Sequence, residues 1–375
     1  MVLAAALLMS NLLQDVSEDR LRATLTQFST YPTRNTNTEY LGQAAEWIAG
    51  EFRKIPGMQV ELMKYPVKKG RRIVADKEVV QVVATLPGAT PKRVMMGGHF
   101  DTINLGGDPM VVKAPGINDD GSGVAATLEC ARLMAQSKWQ NTLVFVAFSG
   151  EEQGLFGSTA LAARAVTEKW QIEGLLNNDT VGASQAGRLK DKKRVRLFSE
   201  DSEKHNGREL ARWIEWACRG KVKGFAPWLV YRKDRFQRGG DHTPFNNAGF
   251  NAVRFVEAVE ALDHQHTEND TINGIDFGYL ANVCRVNLVA LQGLANAGAA
   301  PTAVAYDPKQ AHSTIVRWKG TPGTRYIVYW RASSSTLWEG SSEVGEANEA
   351  TIKNINKDDH IFAVGSVGGV PISAN

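Results

Sequence analysis

Along the first 55 residues the apolar positions Leu21, Leu25 and Phe28, then Ala44, Ala45, Ile48 and Phe52, recur every three or four residues, the period of a helix that buries one face. The polar run over residues 31–38 interrupts that period, so two helices are predicted rather than one. From Gln59 the pattern changes. Val60 and Leu62, then Val79, Val80, Val82 and Val83, form β-rich runs bounded by 68–72 and 86–88, which predicts an antiparallel hairpin. Apolar runs at 93–100, 142–148, 172–178 and 252–256 predict buried strands, and 124–134, 155–166, 203–218 and 277–297 predict helices between them. Such alternation predicts a three-layer α/β/α fold with a mostly parallel mixed central sheet, and it directs attention to the polar residues at the carboxyl ends of the strands.

The pattern shifts again near residues 297–302. Beyond it come short strand candidates at 313–318, 325–330, 349–352 and 361–367, separated by turn residues and carrying three of the nine tryptophans. A small C-terminal β-sandwich is predicted. The chain then divides into an α/β domain over 1–300 and a β-module over 301–375, the module being expected to be dispensable for chemistry. Residues 1–10 are apolar but have no basic run in front of them and fall short of the roughly 20 residues that cross a bilayer. They are expected to form a docked helix, and no integral membrane segment is expected.

Composition narrows the partners. The 375 residues carry 43 Lys and Arg against 40 Asp and Glu, a net charge of +3, which argues against a nucleic-acid partner. Cys130, Cys218 and Cys284 are too few and too far apart for a disulfide framework and read as buried small apolar residues.

Ligand-type side chains recur at strand ends and in the adjoining loops. His99 closes a strand in Gly97-Gly-His-Phe-Asp101, and Asp101, two positions on, can hold the imidazole in its metal-binding tautomer. Asp119 and Asp120 precede a helix, where capping accounts for one acid but not comfortably for two. Glu151 and Glu152 follow a buried strand, and adjacent positions project differently, so one can bind metal while the other moves protons. Asp179 ends a further strand. His264 and His266 share one loop, and spacing does not say which binds. Two imidazoles with three carboxylates suit paired zinc-like ions about 3.5–4 Å apart, one carboxylate bridging them.

In Gly97-Gly-His-Phe-Asp101, Pro115-Gly-Ile-Asn-Asp-Asp-Gly-Ser-Gly123, Ser149-Gly-Glu-Glu-Gln-Gly-Leu-Phe-Gly-Ser158, Asn178-Asp179, Gly240-Asp-His-Thr-Pro-Phe245 and His266-Thr-Glu-Asn-Asp-Thr271 the chain resembles the M28 family of zinc aminopeptidases, over about residues 20–298. The resemblance implies two Zn2+ per chain and peptide substrates. It implies that His99 and Asp179 hold one zinc, Glu152 and His266 the other, and that Asp119 rather than Asp120 bridges them. Asp101 would orient His99 and Glu151 would be the general base. It also places Asp241 and His242 at the rim of the site, to stand behind the ligands or to contact substrate, and Tyr231 in the same polar segment is a third candidate for substrate contact. A secreted or periplasmic location is implied too, although no complete signal peptide stands in this sequence. Two alternatives are a single-zinc glutaminyl cyclase-like acyltransferase, against which the retention of all five ligand-type residues counts, and an inactive receptor-like binding module, which predicts losses at the ligands or at Glu151.

Overall fold

The computed structural model describes residues 12–309 and 312–375; the helix expected over residues 1–10 lies outside the described residues. Helices α1 (Glu18–Phe28) and α2 (Tyr40–Arg53) bury the positions that the period selects, among them Leu21, Leu25 and Phe28, then Ala44, Ala45, Ile48 and Phe52. The Ser17 side chain caps α1 by accepting the Arg20 N–H at 3.2 Å. The polar run between the helices is more than a break. Its Arg34 is fully buried, and the guanidinium donates to the carbonyls of Phe100 at 2.6 Å, Pro115 at 2.5 Å and Gly116 at 2.8 Å. It ties a strand tip to the loop that carries Asp119.

The central sheet has eight strands. In chain order they are β1 (Gln59–Val67), β2 (Lys77–Leu86), β3 (Thr90–His99), β4 (Asn141–Phe148), β5 (Ile172–Asn178), β6 (Arg194–Phe198), β7 (Ala226–Val230) and β8 (Ala252–Glu257). Their spatial order is β1-β2-β4-β3-β5-β8-β6-β7. The four middle strands β4, β3, β5 and β8 run parallel, while β2 and β6 flank them antiparallel. Every residue of β4 is buried, as expected for a strand covered on both faces. The covering helices are α3 (Ser122–Met134), the one-turn α4 (Glu151–Gly154), α5 (Phe156–Thr167), α6 (Gly207–Cys218), α7 (His242–Asn247) and α8 (Phe277–Ala295). Cys130, Cys218 and Cys284 are free and buried. No described helix is long and apolar enough to cross a membrane.

Beyond α8 two antiparallel sheets form a sandwich. β9 (Thr302–Tyr306), β10 (Thr314–Lys319) and β13 (Glu349–Ile352) make one, and β12 (Gly340–Gly345), β11 (Tyr326–Ala332), β14 (His360–Ser366) and β15 (Ile372–Ser373) the other. Val316 and Trp318 from the first meet Val328, Phe362 and Val364 from the second. The opposite face of β11 packs on the α/β domain. Tyr329 and Ala363, with Trp338, belong to the same apolar core as the α/β domain. Tyr329 meets Trp216 of α6 edge-on at 6.1 Å, and Thr336 accepts hydrogen bonds from Arg212 at 3.0 Å and Tyr231 at 2.6 Å.

The backbones of the two parts meet at the glycine pair Gly293 and Gly368. A Cβ on Gly293 of α8 would sit 2.6 Å from the Trp213 ring, and one on Gly368 would overlap the Gly293 carbonyl; Gly368 also has φ +81°. Gly368→Ala is therefore expected to destabilise the protein by roughly 2–3 kcal/mol, from left-handed strain plus overpacking. A denaturant midpoint that does not move would show that this contact is not made in solution.

Candidate metal centre

Parallel strands deliver their carboxyl ends to one edge of the sheet, and at that edge the candidate residues converge. His99 is the last residue of β3, Glu151 and Glu152 follow β4 across one turn, and Asp179 follows β5. Asp119 arrives from the turn before α3, joined to Asp120 by a cis peptide bond. The glycines of these segments are a packing requirement: a Cβ on Gly98 would lie 2.5 Å from the Asp120 carboxylate and 2.8 Å from the Asn178 carbonyl.

Asp119 sits at the centre. One carboxylate oxygen is 3.2 Å from His99 Nε2 and the other 3.1 Å from His266 Nε2, and the latter oxygen also accepts from Gln265 at 2.5 Å. His266 Nε2 lies 3.0 Å from Glu152 Oε1, and His99 Nε2 lies 3.8 Å from Asp179 Oδ2. Among the described residues Asp119, Glu152 and His266 bring one ligand atom each within 4.8 Å of one another, and so do His99, Glu151 and Glu152. His266 holds φ +57°, a left-handed conformation that a non-glycine residue keeps only where its surroundings impose it. His264, by contrast, has a half-exposed side chain whose nearest acid is Asp263 at 3.9 Å.

The two neighbouring aspartates have divided duties. Both oxygens of the buried Asp120 are taken by backbone N–H groups, from His99 at 3.0 Å, Gly123 at 2.9 Å and Thr180 at 3.1 Å. Asp120 thus joins the ends of β3 and β5 to the start of α3, and Asp119 is left to face the histidines. Asp101 also differs from its expected contact. Its carboxylate is 3.7 Å from His99 Nδ1, farther than its own carbonyl at 3.1 Å, and it accepts the N–H groups of Glu151 and Glu152, both at 3.1 Å. Its clearest work is to fix the turn bearing the two glutamates.

The three candidates of segment 231–242 take different places, Asp241 near enough to the cluster for its charge to act on Glu151. Asp241 and His242 are fully enclosed, which leaves no surface for a substrate; His242 Nε2 is 2.8 Å from the Lys233 carbonyl. Tyr231 is not brought to the cluster, because its hydroxyl donates to Thr336 of the β-module. The polarity of segment 231–242 was a sound signal, but it marks a buried network and a domain contact.

Charge in the cluster is one-sided. Burial acts to lower His99, yet the Asp119 hydrogen bond and the charges of Asp179, Glu151 and Asp101 hold it well above its ordinary range. His266 is likewise opposed by burial but carried up to about 10 by Asp119 and Glu152. Burial, reinforced by Glu152, Asp179 and Asp241, pushes the Glu151 carboxyl well above its ordinary range against the pull of His99. Asp241 is pushed up to about 7 chiefly by burial. A pocket so rich in acids invites cations. One buried carboxylate oxygen, Asp179 Oδ1, has no hydrogen-bond partner, which is the condition expected of an atom kept for a metal. The donor set fits zinc.

Sequence reasoning missed two residues that shape this cluster. Arg254 of β8, fully buried, pairs through Nη2 with Asp179 Oδ2 at 2.7 Å and through Nη1 with Asp234, so one Asp179 oxygen is occupied and the other free. Asp270, the acid that ends the run after His266, accepts the backbone N–H of Asn118 at 2.8 Å and of Asp119 at 2.9 Å. Partners of this kind orient ligands, and Asp270→Ala is expected to weaken zinc binding about 10–100-fold. Competition against a calibrated chelator measures it; unchanged affinity would reduce Asp270 to a loop residue.

Comparison with known proteins bears on the family and the fold. The model of peptidase family M28 matches residues 81–291. A probable zinc metalloprotease of Leptosphaeria maculans is 34% identical over 402 residues, spanning 95% of this chain and 93% of that one. Among solved structures the LapA aminopeptidase of Legionella pneumophila superposes with a TM-score of 0.61 at 19% identity, over 77% of this chain and 74% of that one. A glutaminyl cyclase of Macrostomum lignano superposes equally, with a TM-score of 0.61 at 18% identity, over 76% of this chain and 91% of that one. At such identities the two structures speak for the fold alone.

Proposed function

The chain belongs to peptidase family M28, and on that premise we propose that it is an exopeptidase working with two zinc ions, which removes residues from the amino end of peptides. The observation that carries the reading is the Asp119 carboxylate, with His99 at 3.2 Å from one oxygen and His266 at 3.1 Å from the other. His99, Asp179 and Asp119 would hold one ion, and Glu152, His266 and Asp119 the other. Zinc, when bound, polarises a substrate carbonyl and brings the pKa of water down to about 7.

The protein's own groups do the rest. Glu151, half-buried beside His99 and Glu152, accepts the proton of the attacking water and returns it to the departing amine. Asp101 fixes that carboxylate by holding the backbone of Glu151 and Glu152. Arg254 prevents the Asp179 carboxylate from turning away. The excess of acids over bases also suits a substrate that presents a free α-ammonium group, and this supports the amino-terminal polarity.

Metal analysis of zinc-saturated protein is expected to give two ions per chain; a stoichiometry fixed at one overturns the two-ion reading. Aminoacyl-amide substrates are expected to be cleaved and their N-acetylated forms spared, with activity lost to chelator. Equal cleavage of both forms would refute the polarity. Likeness to a glutaminyl cyclase in fold supports a second reading, tested by offering peptides that begin with glutamine: cyclisation without cleavage of other substrates would favour it.

A further inference from the structure

At the opposite end of the central strands from the metal centre lies a cavity of about 1040 Å3, walled by Thr90, Asn141 and Gln171 near the starts of β3, β4 and β5 and by the β-module. The volume is that of pockets which enclose small organic molecules. Its lining carries large apolar side chains: Trp139, Trp213 and Trp216 come from the α/β domain, and Ile327 and Tyr329 from β11. Neither the Glu151 chemistry nor any of the proposed zinc ligands reaches it.

Two observations say what it takes. Gln292 of α8 lines the cavity at 6% exposure, and neither atom of its carboxamide has a hydrogen-bond partner. Buried amides are rarely left unsatisfied, so an occupant with a polar group is called for. The second observation is charge. Lys92, Arg219, Lys221 and Arg325 line the cavity, and no Asp or Glu does. Lys92, Arg219 and Arg325 pair with Glu173, Glu215 and Glu343 outside the lining, whereas Lys221 has no ion-pair partner among the described residues. We propose that this cavity binds a small amphipathic carboxylate, its apolar body against the tryptophans, its anionic head drawn to the basic rim and accepting a hydrogen bond from the Gln292 amide nitrogen. An alcohol of the same body meets the tryptophans and Gln292 but not the basic rim, and a cation is repelled by that rim.

The proposal is tested on the full, zinc-loaded chain by titrating decanoate, decan-1-ol and decyltrimethylammonium, followed by calorimetry and tryptophan fluorescence. Decanoate is expected to bind saturably at one site, and the other two at least tenfold more weakly. Ile327→Trp, which adds a bulky ring to the apolar wall where the decanoate body lies, is expected to weaken decanoate at least tenfold, and Lys221→Glu at least threefold with the melting temperature kept. Absence of saturable binding overturns the proposal, and so does equal binding of the alcohol. Decanoate held at the metal centre instead would bind undiminished to both variants, which also overturns it. If Ile327→Trp fails to fold, the exposed Lys221→Glu variant decides.

Discussion

Glu151→Gln is expected to lower kcat about 10²–10⁴-fold while zinc content and fold are kept. Glutamine keeps the size and one acceptor oxygen of glutamate but does not take up a proton, so the step removed is the transfer from water to the leaving amine. The turn itself is held through backbone N–H groups by Asp101 and does not depend on the Glu151 side chain. A second readout has the opposite sign. Burial among Glu152, Asp179 and Asp241 raises the Glu151 carboxyl, so its ionised form destabilises the zinc-free protein above its unfolded pKa. A neutral side chain relieves this, and the zinc-free variant is expected to melt no lower than the parent at neutral pH. Near-normal turnover would remove Glu151 from the role of base; lost activity with a lower melting point would point to damage of the turn.

Arg254→Met is expected to destabilise the protein by about 3–5 kcal/mol, the range for removing one partner from a buried ion pair. Its guanidinium lies between two fully buried acids, Asp179 at 2.7 Å and Asp234, and also donates to the Gly239 carbonyl at 2.7 Å. Methionine fills the stem volume and leaves both carboxylates uncompensated. Burial alone lowers an arginine; here the two acids more than reverse it, raising Arg254 above its ordinary value. Urea unfolding of the zinc-free chain provides the measurement, and a loss under 1 kcal/mol would mean that water already reaches the pair.

Much of this was legible in the residues. The helical period of α1 and α2, the hairpin of β1 and β2 and the parallel strands ending at His99, Phe148 and Asn178 follow from apolar spacing. The five ligand-type residues, and the choice of Asp119 and His266 within their pairs, came from strand ends and from family resemblance; geometry adds the reason, since Asp120 is consumed by backbone N–H groups. Arg254 was hidden because one arginine in an apolar strand has no pattern until its partners, 20 and 75 residues upstream, are folded against it. β6 escaped because Arg194 and Arg196 alternate with its apolar positions, their guanidinium groups lying over Trp228 and Phe198. β12, Gly340–Gly345, has almost no apolar content and is a strand because β11 pairs with it. The dependence of the β-module on α6 and α8 was likewise invisible, since Trp216 and Tyr329 meet only across the fold.

Assembly from four parallel strand tips also sets a schedule. His99 leaves the ribosome 167 residues ahead of His266, an interval of roughly 10–30 s at ordinary rates of synthesis. During it the chain displays imidazole and carboxylates that no fold yet arranges, because β8 with Arg254 and the loop with His266 are still unmade. On the proposed ligand set, a complete metal centre therefore waits for His266, late in the synthesis of the chain.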